Sequence, residues 1–214
     1  MRYAIVVDLD RCLGCEGCMV ACKTENNVSL GQYWNSVLKI GPKGTWPHLS
    51  QYFLPVMCQQ CTNAPCVNVC PTGASYRDPD TNIVLVDKEK CIGCKYCMMA
   101  CPYGVRNWNS EEKVVEKCTL CAHLLGTKKP WLEEGAEDAD RLPLCVSTCC
   151  GSARYFGDLD DPTSAPSKAI AAKPNAVHYL YDAGNHPTTA YLLSDKYAEW
   201  QDVVATPTYA RYVQ

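Results

Sequence analysis

The sequence lacks the segments by which proteins cross membranes or bind nucleic acids. No stretch approaches the roughly 18 consecutive apolar residues that a membrane span requires. Lysine and arginine form no run, and the formal net charge is −3. The segment from Met1 to Asp8 contains neither an apolar signal region nor paired arginines. We therefore expect no direct membrane span, no nucleic-acid partner and no export signal on this chain.

Motifs of common catalytic sites are also missing. The four histidines are scattered without HExxH spacing. No phosphate loop, GxGxxG sequence or nucleophile elbow occurs. The sequence therefore indicates a non-catalytic chain, and any substrate chemistry is expected on a partner.

Cysteine, by contrast, is abundant, with 17 in 214 residues. Two groups have the x2-x2-x3 spacing that holds [4Fe–4S] clusters, and two further groups are variants of it. Such clusters carry single electrons, so the pattern indicates electron transfer. The spacing predicts four [4Fe–4S] clusters. The predicted iron ligands are Cys12, Cys15, Cys18, Cys22, Cys58, Cys61, Cys66, Cys70, Cys91, Cys94, Cys97, Cys101, Cys118, Cys121, Cys145 and Cys149.

Two other uses of cysteine fit this pattern less well. Disulfide scaffolds are usually much shorter chains and lack such a regular rhythm. A structural zinc site normally uses two CxxC pairs set well apart, whereas here three cysteines fall within seven residues. Both remain alternatives in which the protein would act as an interaction scaffold.

An internal repeat organises the cysteine groups. The segment from Val7 to Cys22 recurs 79 residues later, from Val86 to Cys101, with its cysteines, one glycine and several apolar residues in place. The same offset relates Cys70 to Cys149, whereas Cys58 corresponds to Cys118 at an offset of 60. The two halves therefore share one template, with compensating insertions.

Short apolar runs beside each group predict a ferredoxin-like α+β unit that occurs twice. The predicted strands are 3–7, 52–56, 83–86, 114–116 and 153–156, with a further one at 177–181. Short helices are predicted before Cys22, Cys70, Cys101 and Cys149, and a longer one over 191–204. Insertions at 31–50, a loop or short hairpin, and at 126–143 are candidate docking edges, although the acidic second one also suits a solvated loop.

Four segments of the chain resemble a known family. Segments 63–74, 21–26, 101–104 and 157–162 are similar to the four-cluster electron-transfer subunits of molybdopterin oxidoreductases of the dimethyl sulfoxide reductase family. Within it they look especially like the small subunits of polysulfide, thiosulfate and arsenate reductases and related dehydroxylases. The resemblance covers about residues 1–161.

The resemblance implies how the cysteines combine into clusters. The four implied sets are Cys12, Cys15, Cys18 with Cys149; Cys118, Cys121, Cys145 with Cys22; Cys58, Cys61, Cys66 with Cys101; and Cys91, Cys94, Cys97 with Cys70. Two interleaved ferredoxin-like units follow, one discontinuous over 1–49 and 116–161 and the other over 50–115. Residues 162–214 form a C-terminal tail that is expected to wrap a partner or cover the core.

Several residues beside the cysteines carry further expectations. Cys150 stands where the repeat predicts proline, and we expect a buried free thiol there, although exchange with Cys149 as a ligand stays open. Apolar residues between the cysteines are expected to exclude water from the clusters; they are Val20, Val67, Ile92, Met98 and Met99. Arg77, Lys95 and Arg106 lie near the groups and could stabilise the reduced state of the clusters, although each is more often an ordinary surface charge.

The resulting hypothesis is a chain that relays single electrons to or from a large molybdopterin catalytic subunit of an anaerobic respiratory reductase. A free soluble polyferredoxin and the β subunit of a formate dehydrogenase or hydrogenase-type complex are the alternatives. Location is either cytoplasmic or exported with the catalytic partner, and a separate anchor subunit would provide any membrane link. The sequence determines neither the terminal substrate nor the direction of electron flow.

Overall fold

A computed structural model describes residues 1–125, 142–196 and 198–201. The predicted docking insertion at 126–143 therefore lies almost wholly outside the described residues, as does the chain beyond Gln201. Within the described ranges the chain forms a mixed α+β structure of short elements, which confirms the predicted fold class at that level. No helix in these ranges combines the length and apolar character needed to cross a bilayer.

The elements are short and follow the cysteine groups along the chain. The strands are β1 (Tyr3–Asp8), β2 (Asn35–Thr45), β3 (His48–Met57), β4 (Ser75–Arg77), β5 (Val84–Val86), β6 (Asn107–Asn109), β7 (Val114–Glu116), β8 (Arg154–Asp158), β9 (Val177–His178) and β10 (Ala190–Leu192). The helices are α1 (Gly17–Asn26), α2 (Pro65–Asn68), α3 (Tyr96–Met99), α4 (Leu144–Ser147) and α5 (Ala165–Ala172). The four predicted short helices correspond to α1 to α4.

The largest sheet has the N-terminal strand in its interior. Its strand order is β8, β1, β10, β9, with β1 antiparallel to β8 and parallel to β10. Residues 4–7 are each 0% exposed, so both faces of β1 are covered. A strand that is covered on both faces has apolar residues at successive positions rather than at alternate ones. Residues 4–7 form such a continuous apolar run.

Three antiparallel hairpins carry the remaining strands. The longest joins β2 and β3, with Asn35 opposite Met57 and a bulge between Ile40 and Lys43. The hairpin prediction for the first insertion is thus confirmed, but the hairpin continues to Met57. The expected unit boundary at residues 49 and 50 therefore falls inside β3. The smaller hairpins pair β4 with β5 and β6 with β7.

The predicted helix over 191–204 is wrong where the structure describes this segment. Ala190, Tyr191 and Leu192 form β10, with Val6 of β1 opposite Ala190. These three residues are at most 1% exposed. A short apolar run that is buried on all sides carries no periodicity to separate strand from helix, and pairing with β1 decides the outcome.

Helix α5 has no counterpart among the sequence predictions. Its N-terminus is capped by Ser164, whose side chain accepts a hydrogen bond from Ser167 N, and Pro166 lies in the first turn. The helix packs on β8 and β1. The described part of the tail, 162–196 and 198–201, thus covers the core of its own chain, and partner wrapping remains a prediction.

A partly buried polar contact links the tail to the end of β1 and the turn that follows it. Lys173 Nζ lies 2.9 and 2.8 Å from the two carboxylate oxygens of Asp8 and 2.8 Å from Asp10 Oδ2. Ser194 N donates to Asp10 Oδ1 at 2.9 Å. Burial raises the pKa of Asp10, but hydrogen bonds from Lys173 and Ser194 outweigh burial and leave this pKa below its ordinary value. The contact therefore favours the folded state when Asp10 is ionised.

Replacing Lys173 by methionine should lower the free energy of unfolding by about 2 kcal/mol at pH 7, because two carboxylates with side chains only 5% and 6% exposed lose their counter-charge. The folded pKa of Asp10 is lowered, so its contribution is complete above the unfolded value of about 3.9 and disappears as the pH falls further. The difference between Lys173→Met and the parent should therefore shrink on acidification. Anaerobic urea unfolding at several pH values measures it. Lys168→Met, on the helix α5 that Lys173 directly follows, is the control, and equal losses in both variants would contradict the assignment.

Candidate metal centres

Four cavities in the protein are each lined by four of the predicted ligand cysteines. The first quartet is Cys12, Cys15, Cys18 and Cys149. The second is Cys22, Cys118, Cys121 and Cys145. The third is Cys58, Cys61, Cys66 and Cys101. The fourth is Cys70, Cys91, Cys94 and Cys97.

The structure thus brings the sixteen cysteines together in the same four sets that the family resemblance implies. All seventeen cysteine side chains are free thiols, so none of them forms a disulfide. Within the described ranges, no three His, Cys, Asp or Glu side chains converge closely enough to hold one metal ion. Each quartet instead surrounds its own cavity.

Each of the four short helices contributes to two neighbouring quartets. In α1, Cys18 belongs to the first quartet and Cys22, one turn later, to the second. The cysteine pairs 66 and 70, 97 and 101, and 145 and 149 repeat this four-residue interval. Helix α1 packs against α4, and α2 packs against α3. The first and second quartets are therefore adjacent, and so are the third and fourth.

Glycine is required in the loop before α1 and in the equivalent loop before α3. Gly14 and Gly93, 79 residues apart, have φ angles of +65° and +70°. A Cβ atom on Gly14 would lie 2.4 Å from the Phe53 ring, and one on Gly93 would lie 2.8 Å from the Trp108 ring. These contacts and the left-handed backbone leave room only for glycine. The chain can therefore turn tightly enough for the cysteines on either side to face one cavity.

The quartets differ in their access to solvent. Cys15 in the first quartet and Cys94 in the fourth are exposed, whereas all four cysteines of the second are buried. In the third quartet only Cys101 is partly exposed. The second and third quartets are thus enclosed by protein, and the first and fourth each reach the surface.

Contacts between quartets give them a linear order. Burial and, to a smaller extent, the thiols of Cys145 and Cys58 raise the pKa of Cys118 to about 12, so the third quartet lies beside the second. Gln60, which lies between Cys58 and Cys61 of the third quartet, donates to the Cys118 carbonyl at 3.3 Å. Burial, with a smaller effect of the nearby Cys18, also raises the pKa of Cys145. The order is therefore first, second, third, fourth, with the two exposed quartets at its ends.

Burial keeps the inner thiols protonated in the absence of a cation. It raises the pKa of Cys61 to about 12 and, with neighbouring thiols, that of Cys121 to about 11. Burial likewise raises the pKa of Cys101 to about 11. Thiolates at these positions require positive charge inside the cavity, because a bound metal displaces the proton from the sulfur.

The seventeenth cysteine is not buried, which corrects the prediction for Cys150. Its side chain is exposed, lines the first cavity and lies with Sγ 3.5 Å from Cys15 Sγ. Cys149 Sγ, in contrast, accepts a hydrogen bond from Ala153 N at 3.3 Å. Pro71, the equivalent of Cys150 in the repeat, is exposed as well, so this position of the loop faces solvent in both halves. The fifth thiol at the first cavity therefore lies at its rim, beside Cys15.

The predicted water-excluding residues are only partly where the sequence places them. Val67 and Met98 pack against the core. Val20, Ile92 and Met99 are 65%, 66% and 85% exposed, so the prediction is wrong for these three. Two of them follow a cysteine by two residues on a helix, which turns the side chain about 200° away from the cavity.

Three buried cations, Arg106, Arg154 and Lys117, lie among the quartets. Arg106, expected at the surface, is 4% exposed and lines the third cavity. Arg154 and Lys117 are 5% and 2% exposed and had drawn no attention. No local signal marks either residue, because their burial results from the packing of distant segments. Arg77 is half-buried, and Lys95 lies 4.1 Å over the Trp108 ring.

Comparison with known proteins identifies the family to which the chain belongs. The family model described as "4Fe-4S dicluster domain" matches residues 49–159, more than half of the chain. The chain is 42% identical to a putative iron–sulfur subunit of dimethyl sulfoxide reductase from Halobacterium salinarum, over 89% of this chain and 79% of that protein. It is 39% identical to a subunit of sulfite dehydrogenase from Allochromatium vinosum, over 89% and 82%.

A third relative is the arsenate respiratory reductase iron–sulfur subunit of Shewanella sp. strain ANA-3, with 35% identity over 91% of this chain and 97% of that protein. These relatives are subunits of oxidoreductases, and they match nearly the whole chain rather than one motif. The chain therefore belongs to the family of ferredoxin-type [4Fe–4S] iron–sulfur subunits that transfer electrons in reductases of the dimethyl sulfoxide reductase type.

Proposed function

We propose that this protein holds four [4Fe–4S] clusters, one in each quartet, and relays single electrons between a redox donor and a catalytic subunit. The observation that carries the proposal is the gathering of sixteen cysteines into four sets of four, each around its own cavity. Four thiolates are the usual ligands of one such cluster. Each cluster would accept and release one electron, and the protein supplies ligands, enclosure and charge.

The groups around the cavities fit this cofactor. Buried Arg106 Nη1 and Arg77 Nη2 have no hydrogen-bond partner among the described residues. Unpaired buried donors are costly, and sulfide and thiolate sulfurs accept hydrogen bonds. A thiolate-ligated cluster also brings negative charge to places where the chain has buried cations without acidic partners. Both features support iron and sulfide in the cavities.

Two interleaved ferredoxin-like units form the architecture that we propose. Helices α1 and α4 would serve the first two clusters and α2 and α3 the other two, with the last cysteine of each group crossing to the neighbouring cluster. The 79-residue repeat supports this division. The segment 50–115 would then be one unit, and 1–49 with 116–161 the other.

The linear order of the quartets suits a relay with two terminals. The two enclosed quartets lie in the middle, and the two with exposed cysteines lie at the ends of the order. Each terminal has a pair of exposed apolar side chains, and the two pairs are equivalent under the 79-residue repeat. They are Leu13 with Val20 at the first quartet and Ile92 with Met99 at the fourth. Exposed apolar side chains next to a redox site favour contact with a partner protein.

The partner is inferred from the relatives. Their names describe subunits of dimethyl sulfoxide reductase, sulfite dehydrogenase, tetrathionate reductase and arsenate reductase. A large molybdopterin catalytic subunit at one terminal is therefore the proposed partner. A membrane-anchor subunit at the other terminal is part of the same proposal. A freely diffusing polyferredoxin is disfavoured, because it would gain nothing from two apolar terminals.

The choice of Cys149 over Cys150 as a ligand gives a direct prediction. Cys149→Ser should lower the iron content from about sixteen per chain and bleach part of the absorption near 400 nm, a wavelength of roughly the range expected for thiolate-ligated clusters. Cys150→Ser should keep both at the parent level, because its exposed thiol lies outside the quartet. Iron analysis and absorption spectra of the anaerobically purified variants measure the difference. Loss of iron in Cys150→Ser with retention in Cys149→Ser would reverse the ligand assignment.

The function itself is tested by native purification under anaerobic conditions, with mass spectrometry of co-purifying chains and analysis of iron and molybdenum. We expect about sixteen irons in this chain and a stoichiometric large chain that contains molybdenum. A third, membrane-spanning chain would identify the anchor. Iron without any stoichiometric partner would instead support the polyferredoxin, and zinc in place of iron would overturn both.

A further inference from the structure

Three buried cations have no carboxylate partner among the residues that the structure describes. Arg154, Arg106 and Lys117 are each at most 5% exposed, and none forms an ion pair within the part of the chain that the structure describes. A buried charge without a counter-ion is strongly unfavourable in a medium of low dielectric constant. The fold therefore tolerates these three charges only if some other group compensates them.

Arg154 lies at the boundary between the first and second quartets. Its side chain lines the first cavity, and its charge lies close enough to Cys145 of the second quartet to favour the thiolate there. Arg154 Nη2 donates to Asn35 Oδ1 at 3.0 Å, and Nη1 lies 3.8 Å from Met57 Sδ. Neutral groups thus fix the guanidinium in place, and the anions that it can meet are the thiolates of two quartets.

Arg106 has the equivalent position at the boundary between the third and fourth quartets. It lines the third cavity, and its charge lies close enough to Cys97 of the fourth quartet to favour the thiolate there. Outside the quartets, its Nη2 donates to Ser75 Oγ at 2.7 Å. Both arginines therefore lie between two adjacent quartets, and each is held by a neutral side chain on a neighbouring strand.

Lys117 lies at the remaining boundary, between the second and third quartets. Its ammonium donates to the carbonyl of Cys118, at 2.8 Å, and to that of Val84. Cys118 belongs to the second quartet, and Val84 lines the third cavity. Each of the three boundaries in the linear order therefore contains one buried cation.

The strand pairings show that Arg154 and Ser75 are equivalent positions of the internal repeat. Arg154 lies opposite Val7 in the large sheet, and Ser75 lies opposite Val86 in the β4–β5 hairpin. Val7 and Val86 are themselves related by the 79-residue offset, as are Ser75 and Arg154. One half therefore has a guanidinium where the other half has a hydroxyl.

The residues that these two contact are equivalent as well. In the β2–β3 hairpin, Asn35 lies opposite Met57. In the β6–β7 hairpin, Asn107 lies opposite Glu116, so extending this antiparallel register by one residue places Arg106 opposite Lys117. Met57 and Lys117 correspond by the offset of 60 that relates Cys58 to Cys118. Asn35 is therefore the equivalent of Arg106, just as Arg154 is the equivalent of Ser75. The bonds Arg154–Asn35 and Arg106–Ser75 thus join equivalent positions, but the arginine occupies one position in the first bond and the other position in the second. The repeat keeps the charge although it changes the residue that supplies it.

We propose that Arg154, Arg106 and Lys117 are the internal counter-charges of the relay, each of which stabilises the added electron on the two clusters at its boundary. The proposal rests on the four-cluster function above. A fixed positive charge inside the protein favours the reduced, more negative cluster, and solvent screens it little. The three residues position charge and ligate no iron.

The test compares Arg154→Gln with Arg154→Lys in the anaerobically purified full-length holoprotein, by redox titration monitored by electron paramagnetic resonance. Glutamine keeps a hydrogen-bond donor and removes the charge, whereas lysine keeps the charge. In Arg154→Gln, two of the four clusters should become harder to reduce. At a fixed potential, their ratio of reduced to oxidised form should fall about tenfold, which lowers the midpoint potential by about 59 mV for one electron. Arg154→Lys should stay near the parent.

Two further variants make the test independent of how any single site folds. Lys117→Met introduces the residue that the repeat already has at Met57, so the fold should accept it, and it should shift two steps that include the inner clusters. Arg106→Gln should shift a pair of steps different from the pair moved by Arg154→Gln. Arg11→Ser removes an exposed arginine beside Cys12 and serves as the control, with all steps unchanged.

The outcomes separate the inference from the proposed function. Variants that keep about sixteen irons, the content of four such clusters, but show unmoved midpoints would overturn the counter-charge role. Equal shifts in Arg154→Gln and Arg154→Lys would also overturn it, because the effect would then be structural. A parent protein that binds fewer than four clusters would instead overturn the four-cluster function, whatever the midpoints do.

Discussion

The four-residue interval between two cysteines, the first on a short helix and the second on it or two residues past its end, is the constraint on which the rest of the structure depends. In α1 one helical turn, about 6 Å of rise over four residues, separates Cys18 from Cys22, yet the two thiols face different cavities. Neighbouring quartets therefore cannot move apart. Helices of four residues are not stable alone, so their conformation depends on the thiols being fixed at both ends. Many of the cysteines also belong to the main hydrophobic core, and the sites thus replace part of the ordinary apolar packing.

Local spacing and long-range pairing were predictable to different degrees. The rhythm of the cysteines marks the four groups and the short helices, because these depend on residues a few positions apart. The assignment of Cys149 to the quartet of Cys12 spans most of the chain, and only the family resemblance supplied it. Strand β10 was misassigned because its partner, β1, lies more than 180 residues earlier. The positions of Arg154 and Lys117 were missed for the same reason: their burial is created by distant segments.

The exposed residues Val20 and Met99 illustrate a different kind of error. Apolar side chains between ligands were expected to exclude water, yet each follows a cysteine by two positions on a helix. A rotation of about 100° per residue turns such a side chain away from the thiols on either side. The outward direction was therefore contained in the sequence and could have been read from it. The repetition of this feature in both halves favours a function at the surface over accidental exposure.

The distribution of buried charge follows from the way the two halves meet. The boundary between the first and second quartets and the boundary between the third and fourth are equivalent under the repeat. Each contains one arginine, Arg154 or Arg106, and the two arginines occupy opposite ends of an equivalent hydrogen bond. The boundary between the pairs occurs once, and Met57 and Lys117 are the equivalent residues that precede its nearest cysteines, Cys58 and Cys118. Two lysines there would repel one another in a dry interior. Because one of the two equivalent positions is Met57 and the other is Lys117, the shared boundary contains a single charge. The two halves of the repeat thus differ at the position where identical lysines would have placed two charges together.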